Sequence, residues 1–270
     1  MGNPLGESHH NVAHSYKRFG LRIFKLSSRE NPCQSISVDQ VNSSNSQNPS
    51  INSVFNDYVT YRIGEAGLLA EETGDMLFEN FLIADSGHAG MEFYRTVLTM
   101  NLVKAENMTI VGRTTTNPST ESSKLDNARG VIGPRQTKKE WKISNVKFHN
   151  FNGNMVIMET CSKCDDNLLF TNTGQEYMVE DISYTNVTSK RLHMLGLRRE
   201  IIFDLDGSFS NNEFDGVSRS SATVLNNFKH IEDEPDCTNP NDQSIWEDTL
   251  VCDSSLPLRK VIFDNMINKN

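Results

Sequence analysis

Apolar and polar residues alternate with a period of two over short stretches of this chain, and one such stretch recurs. Phe78-Glu-Asn-Phe81-Leu-Ile83-Ala-Asp85, Ile143-Ser-Asn-Val146-Lys-Phe148-His-Asn150 and Val179-Glu-Asp-Ile182-Ser-Tyr184-Thr-Asn186 share one pattern. Each reads apolar, x, Asn or Asp, apolar, x, apolar or aromatic, x, Asn or Asp. Asn107-Met108-Thr-Ile110-Val-Gly112 and Val261-Ile-Phe263-Asp-Asn265 are partial copies, and Ile201-Ile-Phe203-Asp204 has the same outline. Such alternation predicts a strand with one buried face, because successive side chains of a strand point to opposite sides. Asn and Asp tolerate left-handed backbone angles and bond to their own main chain, so the flanking pair predicts a turn at each end of the strand.

Almost no segment shows sustained helical periodicity, which excludes a doubly wound α/β sheet with its helix between every pair of strands. The copies are unevenly spaced: Phe81 to Met108 is 27 residues, Val146 to Ile182 is 36 and Ile182 to Ile201 is 19. A constant strand with variable connections is how a solenoid accommodates insertions. The predicted fold class is therefore all-β, a right-handed parallel β-helix (solenoid) with long irregular loops, spanning 1–270 as a single domain. Stacking would bring the Asn and Asp flanks into polar ladders and the apolar pairs into a continuous core. A β-sandwich is the alternative. It would join neighbouring strands through tight hairpins, for which Asn152-Gly153 is the clear candidate. Residues 35–56 and 114–127, rich in Asn, Ser and Thr, are predicted to be low-complexity loops, and Glu232–Asp248 an acidic irregular stretch.

Composition narrows the function. At 36% hydrophobic residues the chain can bury a core, and a net charge of −9 argues against nucleic acid as a partner. No apolar run approaches the roughly 18–20 residues that cross a bilayer, so no membrane span is expected in this chain. The start, MGNPLGESHH, lacks the apolar core of a signal peptide. Taken literally, both facts describe a soluble intracellular protein; the alternative is a piece of a larger protein whose targeting segments and anchor lie elsewhere.

Five cysteines are present. Cys161-Ser-Lys-Cys164 has the spacing of half a zinc site, but Cys237 and Cys252, 15 apart, do not supply the other half. All four are disulfide candidates, and no metal or other cofactor is expected. Asn42, Asn107 and Asn186 head Asn-x-Ser/Thr triplets and are candidate glycosylation sites in a secreted chain.

The most chemically suggestive segment is IIFDLDGS, Ile201 to Ser208. In isolation it resembles the nucleophile signature of haloacid-dehalogenase phosphatases, with Asp204 as nucleophile and Asp206 as general acid. Lys229 and Asp233 would take the later roles. Only 64 residues follow Asp206, too few for a doubly wound sheet at about 30 residues per strand–helix–strand unit. A second reading is a carbohydrate-binding or polysaccharide-processing β-helix, which would work with paired carboxylates on an exposed face. Glu71, Glu72, Asp85, Asp204, Asp206, His14 and His88 are its candidates. His9, His10 and His14 are a weaker candidate metal cluster near the start.

Three blocks carry a family resemblance: NVAHSYKRFGLRIFKL (Asn11–Leu26), GLLAEETGDMLFENFLIAD (Gly67–Asp85) and REIIFDLDGSFS (Arg199–Ser210). Together with Cys237, Trp246, Cys252 and PLRKVIFDNM (Pro257–Met266) they resemble the β-helix region of fibrocystin and fibrocystin-L, which is shared with cell-surface hyaluronan-binding and hyaluronidase-related proteins. The resemblance implies an extracellular or cell-surface setting and glycans or other extracellular proteins as partners. It assigns no catalytic residue here. The expected function is that of a non-catalytic structural, adhesive or receptor module. The hyaluronan-type carbohydrate role is the alternative and the phosphatase a remote one.

Overall fold

The computed structural model describes residues 8–31, 48–96, 101–114, 125–134, 136–137, 140–160, 177–194, 201–210, 221–226, 236–238, 246 and 249–255. Among them the protein is all-β, with eighteen strands. The strands are β1 (Ser8–His14), β2 (Phe19–Phe24), β3 (Ser53–Ile63), β4 (Ala66–Glu71), β5 (Met76–Glu79), β6 (Leu82–Ser86), β7 (Ala89–Thr96), β8 (Leu102–Val111) and β9 (Arg129–Ile132). There follow β10 (Gln136–Thr137), β11 (Glu140–His149), β12 (Val156–Glu159), β13 (Tyr177–Thr185), β14 (Lys190–His193), β15 (Ile201–Asp204), β16 (Ala222–Asn226), β17 (Cys237–Thr238) and β18 (Thr249–Asp253).

They form two sheets. The larger runs β1-β3-β5-β8-β11-β13-β15-β16-β18-β17, with β6 beside β3 and β8, and the smaller runs β14-β12-β9-β7-β4-β2. The chain crosses repeatedly from one sheet to the other, and pairing is parallel from β1 to β15. Asn152 and Gly153 accordingly form no hairpin: they join β11 of the larger sheet to β12 of the smaller. β15 pairs antiparallel with β16, and β16 with β18, so the parallel order ends there. Of the two predicted loops, residues 53–56 are instead the start of β3, because Val54 and Phe55 begin its alternation. Residues 35–47 and 115–124 lie outside the described residues.

Parallel register stacks like on like. Phe55, Phe78, Ala105, Ile143 and Val179 occupy one column of the larger sheet, and Tyr58, Phe81, Met108, Val146 and Ile182 another. Leu68, Met91, Val131, Met158 and Leu192 form the facing column of the smaller sheet. All belong to one buried core, closed at the far end by Trp246, which bridges to Leu192 and meets Phe209 edge-on at 5.6 Å.

The polar positions of the recurring stretch obey a tighter rule than turns at strand ends. Asp57, Asn80, Asn107, Asn145 and Asp181 stand in one column, and all have φ between 49 and 58°. Five residues later Arg62, Asp85, Asn150 and Asn186 make a second such column, φ 52 to 56°. Apart from Asn80, which separates β5 from β6, the first column lies within the strands: a left-handed residue there shifts the alternation by one, so Trp141 and Ile143 before Asn145, and Val146 and Phe148 after it, all point inward. Side-chain amides link the columns, Asn145 donating to Asn107 at 2.7 Å and Asn186 to Asn150 at 2.9 Å.

In the smaller sheet Gly20, Gly67, Gly90 and Gly130 are in register. A Cβ on Gly67 would lie 2.6 Å from Ile83 Cγ2, one on Gly90 2.7 Å from Ile110 Cγ2, and one on Gly130 2.6 Å from Phe148 Cε1. These glycines let the Thr60–Ile83–Ile110–Phe148 column press against the facing backbone.

Candidate functional site

IIFDLDGS lies where the parallel order ends. Ile202 continues the Trp141–Tyr177 column, and Asp204 continues the column of Ile143 and Val179. Asp204 is therefore a carboxylate in a core position, with 0% exposure. It accepts from Ser210 N–H at 2.8 Å, Ser210 Oγ at 2.8 Å and Phe209 N–H at 3.3 Å. Asp206 follows on the bend, which Gly207 makes with φ 76°. It accepts from Ser208 N–H at 3.1 Å and Oγ at 2.6 Å, and from the Asp181 N–H at 2.9 Å. The Ser208 hydroxyl oxygen accepts from Ile182 N–H at 2.8 Å.

The two carboxyls are pushed in opposite directions. Burial, helped by the Asp206 charge, raises Asp204 despite its hydrogen bonds from Ser210 and Phe209. Burial also pushes Asp206 upward, but the Ser208 and Asp181 donors outweigh it and leave that carboxyl below its ordinary value. Phosphoryl transfer of the haloacid-dehalogenase kind needs a first aspartate open to the phosphorus, whereas Asp204 is fully buried. Lys229 and Asp233 lie outside the described residues. The geometry gives the phosphatase reading no support: both aspartates serve the turn that ends the array.

The carboxylates and histidines nominated for a carbohydrate site are not brought together. Glu71 pairs with Arg22 at 2.8 Å, and Glu72 with Arg95 at 2.9 Å and Lys25 at 3.4 Å. Asp85, 3% exposed, accepts from the Thr114 N–H at 2.7 Å and hydroxyl at 2.6 Å. His14 stacks on Tyr61 at 4.9 Å, and His88 lies 3.8 Å from Glu92.

A cluster that the sequence reading passed over sits on the smaller sheet. Glu159, at the end of β12 and 5% exposed, faces Arg129 Nε at 2.9 Å and His193 Nδ1 at 3.2 Å. Burial pushes its carboxyl up, but the hydrogen bond from His193 and the charge and hydrogen bond of Arg129 prevail and hold it below the ordinary glutamate value. Glu92, 4% exposed, stands in the same column with only Ile132 between. The sequence signal was an acid closing the apolar run Met155–Met158, where alternation alone assigns no charge. On the larger sheet Glu79 and Glu106 are direct register partners. Burial, a hydrogen bond to Glu106 and the Glu106 charge raise the Glu79 carboxyl, against the opposing charge of Lys104.

Cys237 and Cys252 are joined in a disulfide across β17 and β18. Asn107 and Asn186 are exposed. Cys161, Cys164 and Asn42 lie outside the described residues, as does the Val261 copy of the strand. Among the described residues no group of three or more His, Cys, Asp or Glu side chains is arranged to hold a metal ion, and no helix is long and apolar enough to cross a membrane. His10 is set against Asp57 at 3.2 Å and edge-on to His9 at 4.6 Å, while His14 stacks on Tyr61, so the three early histidines do not share one site. Comparison with family models, with curated proteins and with solved structures gives no match to this chain.

Proposed function

We propose that the chain is a right-handed parallel β-helix acting as a non-catalytic module, structural or adhesive, of a fibrocystin-like protein at the cell surface. The observation that carries this reading is the use made of the chemically suggestive groups. Asp206 binds the backbone of Asp181, Asp85 binds Thr114, and Glu71 and Glu72 neutralise cations of neighbouring strands. Each ties one rung of the stack to the next or holds a turn. The parallel columns, the alternation of the chain between two sheets and the usual right hand of such crossovers support the β-helix. The disulfide supports an oxidising compartment, and exposed Asn107 and Asn186 fit a glycoprotein.

The test is attachment of cells to the immobilised, folded chain, against a heat-unfolded control, alongside magnesium-dependent phosphoester turnover. Attachment without turnover is expected. Turnover abolished by Asp204→Asn would replace this reading with an enzyme.

A carbohydrate-processing role is the second reading, and one observation favours it. Glu92 and Glu159 are two strand spacings apart in one column, about 10 Å between backbones, near the span of about 6.5–9.5 Å between the carboxyls of inverting glycosidases. Loss of polymer viscosity that disappears in Glu159→Gln is the result that would establish it.

A further inference from the structure

The first rung carries charge of one sign. From Ser8 to Arg29 there are Lys17, Arg18, Arg22, Lys25 and Arg29, three histidines and no acid, in a chain whose net charge is −9. The second rung answers it: Arg18 meets Glu65 at 3.2 Å, Arg22 meets Glu71 at 2.8 Å and Lys25 meets Glu72 at 3.4 Å. Among the described residues each cation bridges on one side only, with side-chain exposures of 60, 45 and 57%. Arg18 and Arg22 lie over Phe19, and Arg22 and Lys25 over Phe24, which holds them in place. Val12 and Tyr16, each 62% exposed, and Phe24 at 48% are large apolar groups on the same rung. Among the described residues β1 and β2 pair only with β3 and β4. β1 carries one left-handed bend of the stack at His10 and is followed by the other at Ser15, both at φ 55°, as β2 is followed by Lys25 at φ 55°. The edge is thus shaped to match a strand bent at the same two places.

We propose that the edge formed by β1 and β2 receives one further parallel rung from another polypeptide, one that presents carboxylates to Arg18, Arg22 and Lys25. A second copy of this chain fits poorly. Two β1 edges related by a two-fold axis run antiparallel, which misaligns the bends and sets cation against cation. The inference rests on the stacked-rung reading above, and it adds the partner's chemistry to it.

The probe is a labelled peptide of residues 53–72, the acidic rung that β1 and β2 already accept on their other side. Saturable binding to the full chain is expected, with amides of 8–14 and 19–24 gaining hydrogen-exchange protection. Reversing Glu65, Glu71 and Glu72 to Lys in the peptide, or combining Arg18→Gln, Arg22→Gln and Lys25→Gln in the chain, should weaken binding about tenfold, as three exposed ion pairs would. If that variant does not fold, the same loss is expected for the unaltered chain on raising ionic strength to about 1 M. No binding, equal binding of the reversed peptide, or protection gained elsewhere overturns the proposal. So does self-association that the peptide does not displace, which would make the occupant a second copy. Without peptide, free exchange throughout β5, β8 and β11 would instead sink the stacked-rung reading itself.

Discussion

The backbone N–H of Asp181 donates to the carboxylate of Asp206 at 2.9 Å. In every earlier rung the left-handed position of this column is followed by another strand, whereas at Asp181 a side chain takes over. Asp206→Ala removes the acceptor of the exposed Asp181 and Ser208 donors and is expected to cost roughly 0.5–1.5 kcal/mol. Asp206→Asn, which keeps an acceptor oxygen, should cost less. Urea unfolding at constant m measures both.

Gly67→Ala places a methyl 2.6 Å from Ile83 Cγ2 and 2.9 Å from the Gly90 carbonyl oxygen. Overpacking of this kind costs about 1–3 kcal/mol. Gly153→Ala is the control: nothing lies within 4 Å, and only its φ of +64° opposes a side chain. Its cost should stay near 1 kcal/mol. Equal midpoints for the two variants would refute the close approach of the sheets.

Asn145→Val removes the amide bond to Asn107 and forces a branched residue to φ 49°. A loss of about 2–3 kcal/mol is expected, roughly 1–2 of it from the left-handed backbone. Asn145→Gly should recover the backbone share. Thermal unfolding of the pair separates conformation from hydrogen bonding.

Glu159 has a carboxyl below its ordinary value of 4.5. A depressed folded value means that its contribution to stability is complete above the unfolded value and is lost as pH falls through the folded one. Arg129→Met should raise the Glu159 carboxyl and cost roughly 1–3 kcal/mol at neutral pH. The cost should shrink in acid. A carboxyl-carbon NMR titration with urea midpoints across the acid range checks the sign.

The Cys237–Cys252 bridge closes a loop of 15 residues, worth about 3 kcal/mol in the chain-entropy model. Reduction should lower the unfolding temperature, and hydrogen exchange should rise first in β17 and β18. Uniform loosening of β3 to β13 instead would show that the bridge constrains the parallel array as well.

The strand pattern and its stacking were legible because alternation and the Asn and Asp flanks are local signals. Phe81 over Met108 and Val146 over Ile182 follow from the recurring stretch alone. The spacing argument failed at Ile201: Ile202 falls beside Tyr177 and Asp204 beside Val179, so Ile201 does not stack on Ile182. The meaning of the first flank was also hidden. Asn107, Asn145 and Asp181 bend strands from within, and His10, Arg62 and Glu72 adopt the same conformation without a side chain that advertises it. Glu159, Arg129 and His193 come from three strands whose neighbourhood depends on register in the smaller sheet. The recurring stretch does not mark that sheet.

The glycine column has a further consequence. Gly20, Gly67, Gly90 and Gly130 present the same profile to the opposite sheet, but Ile157 takes the next place in register and Arg191 the one after. At this position a segment duplicated or deleted among β2, β4, β7 and β9 would meet a surface of the same depth. Beyond β9 each layer is fitted to its own neighbours, so tolerance to gain or loss of a repeat should stop there.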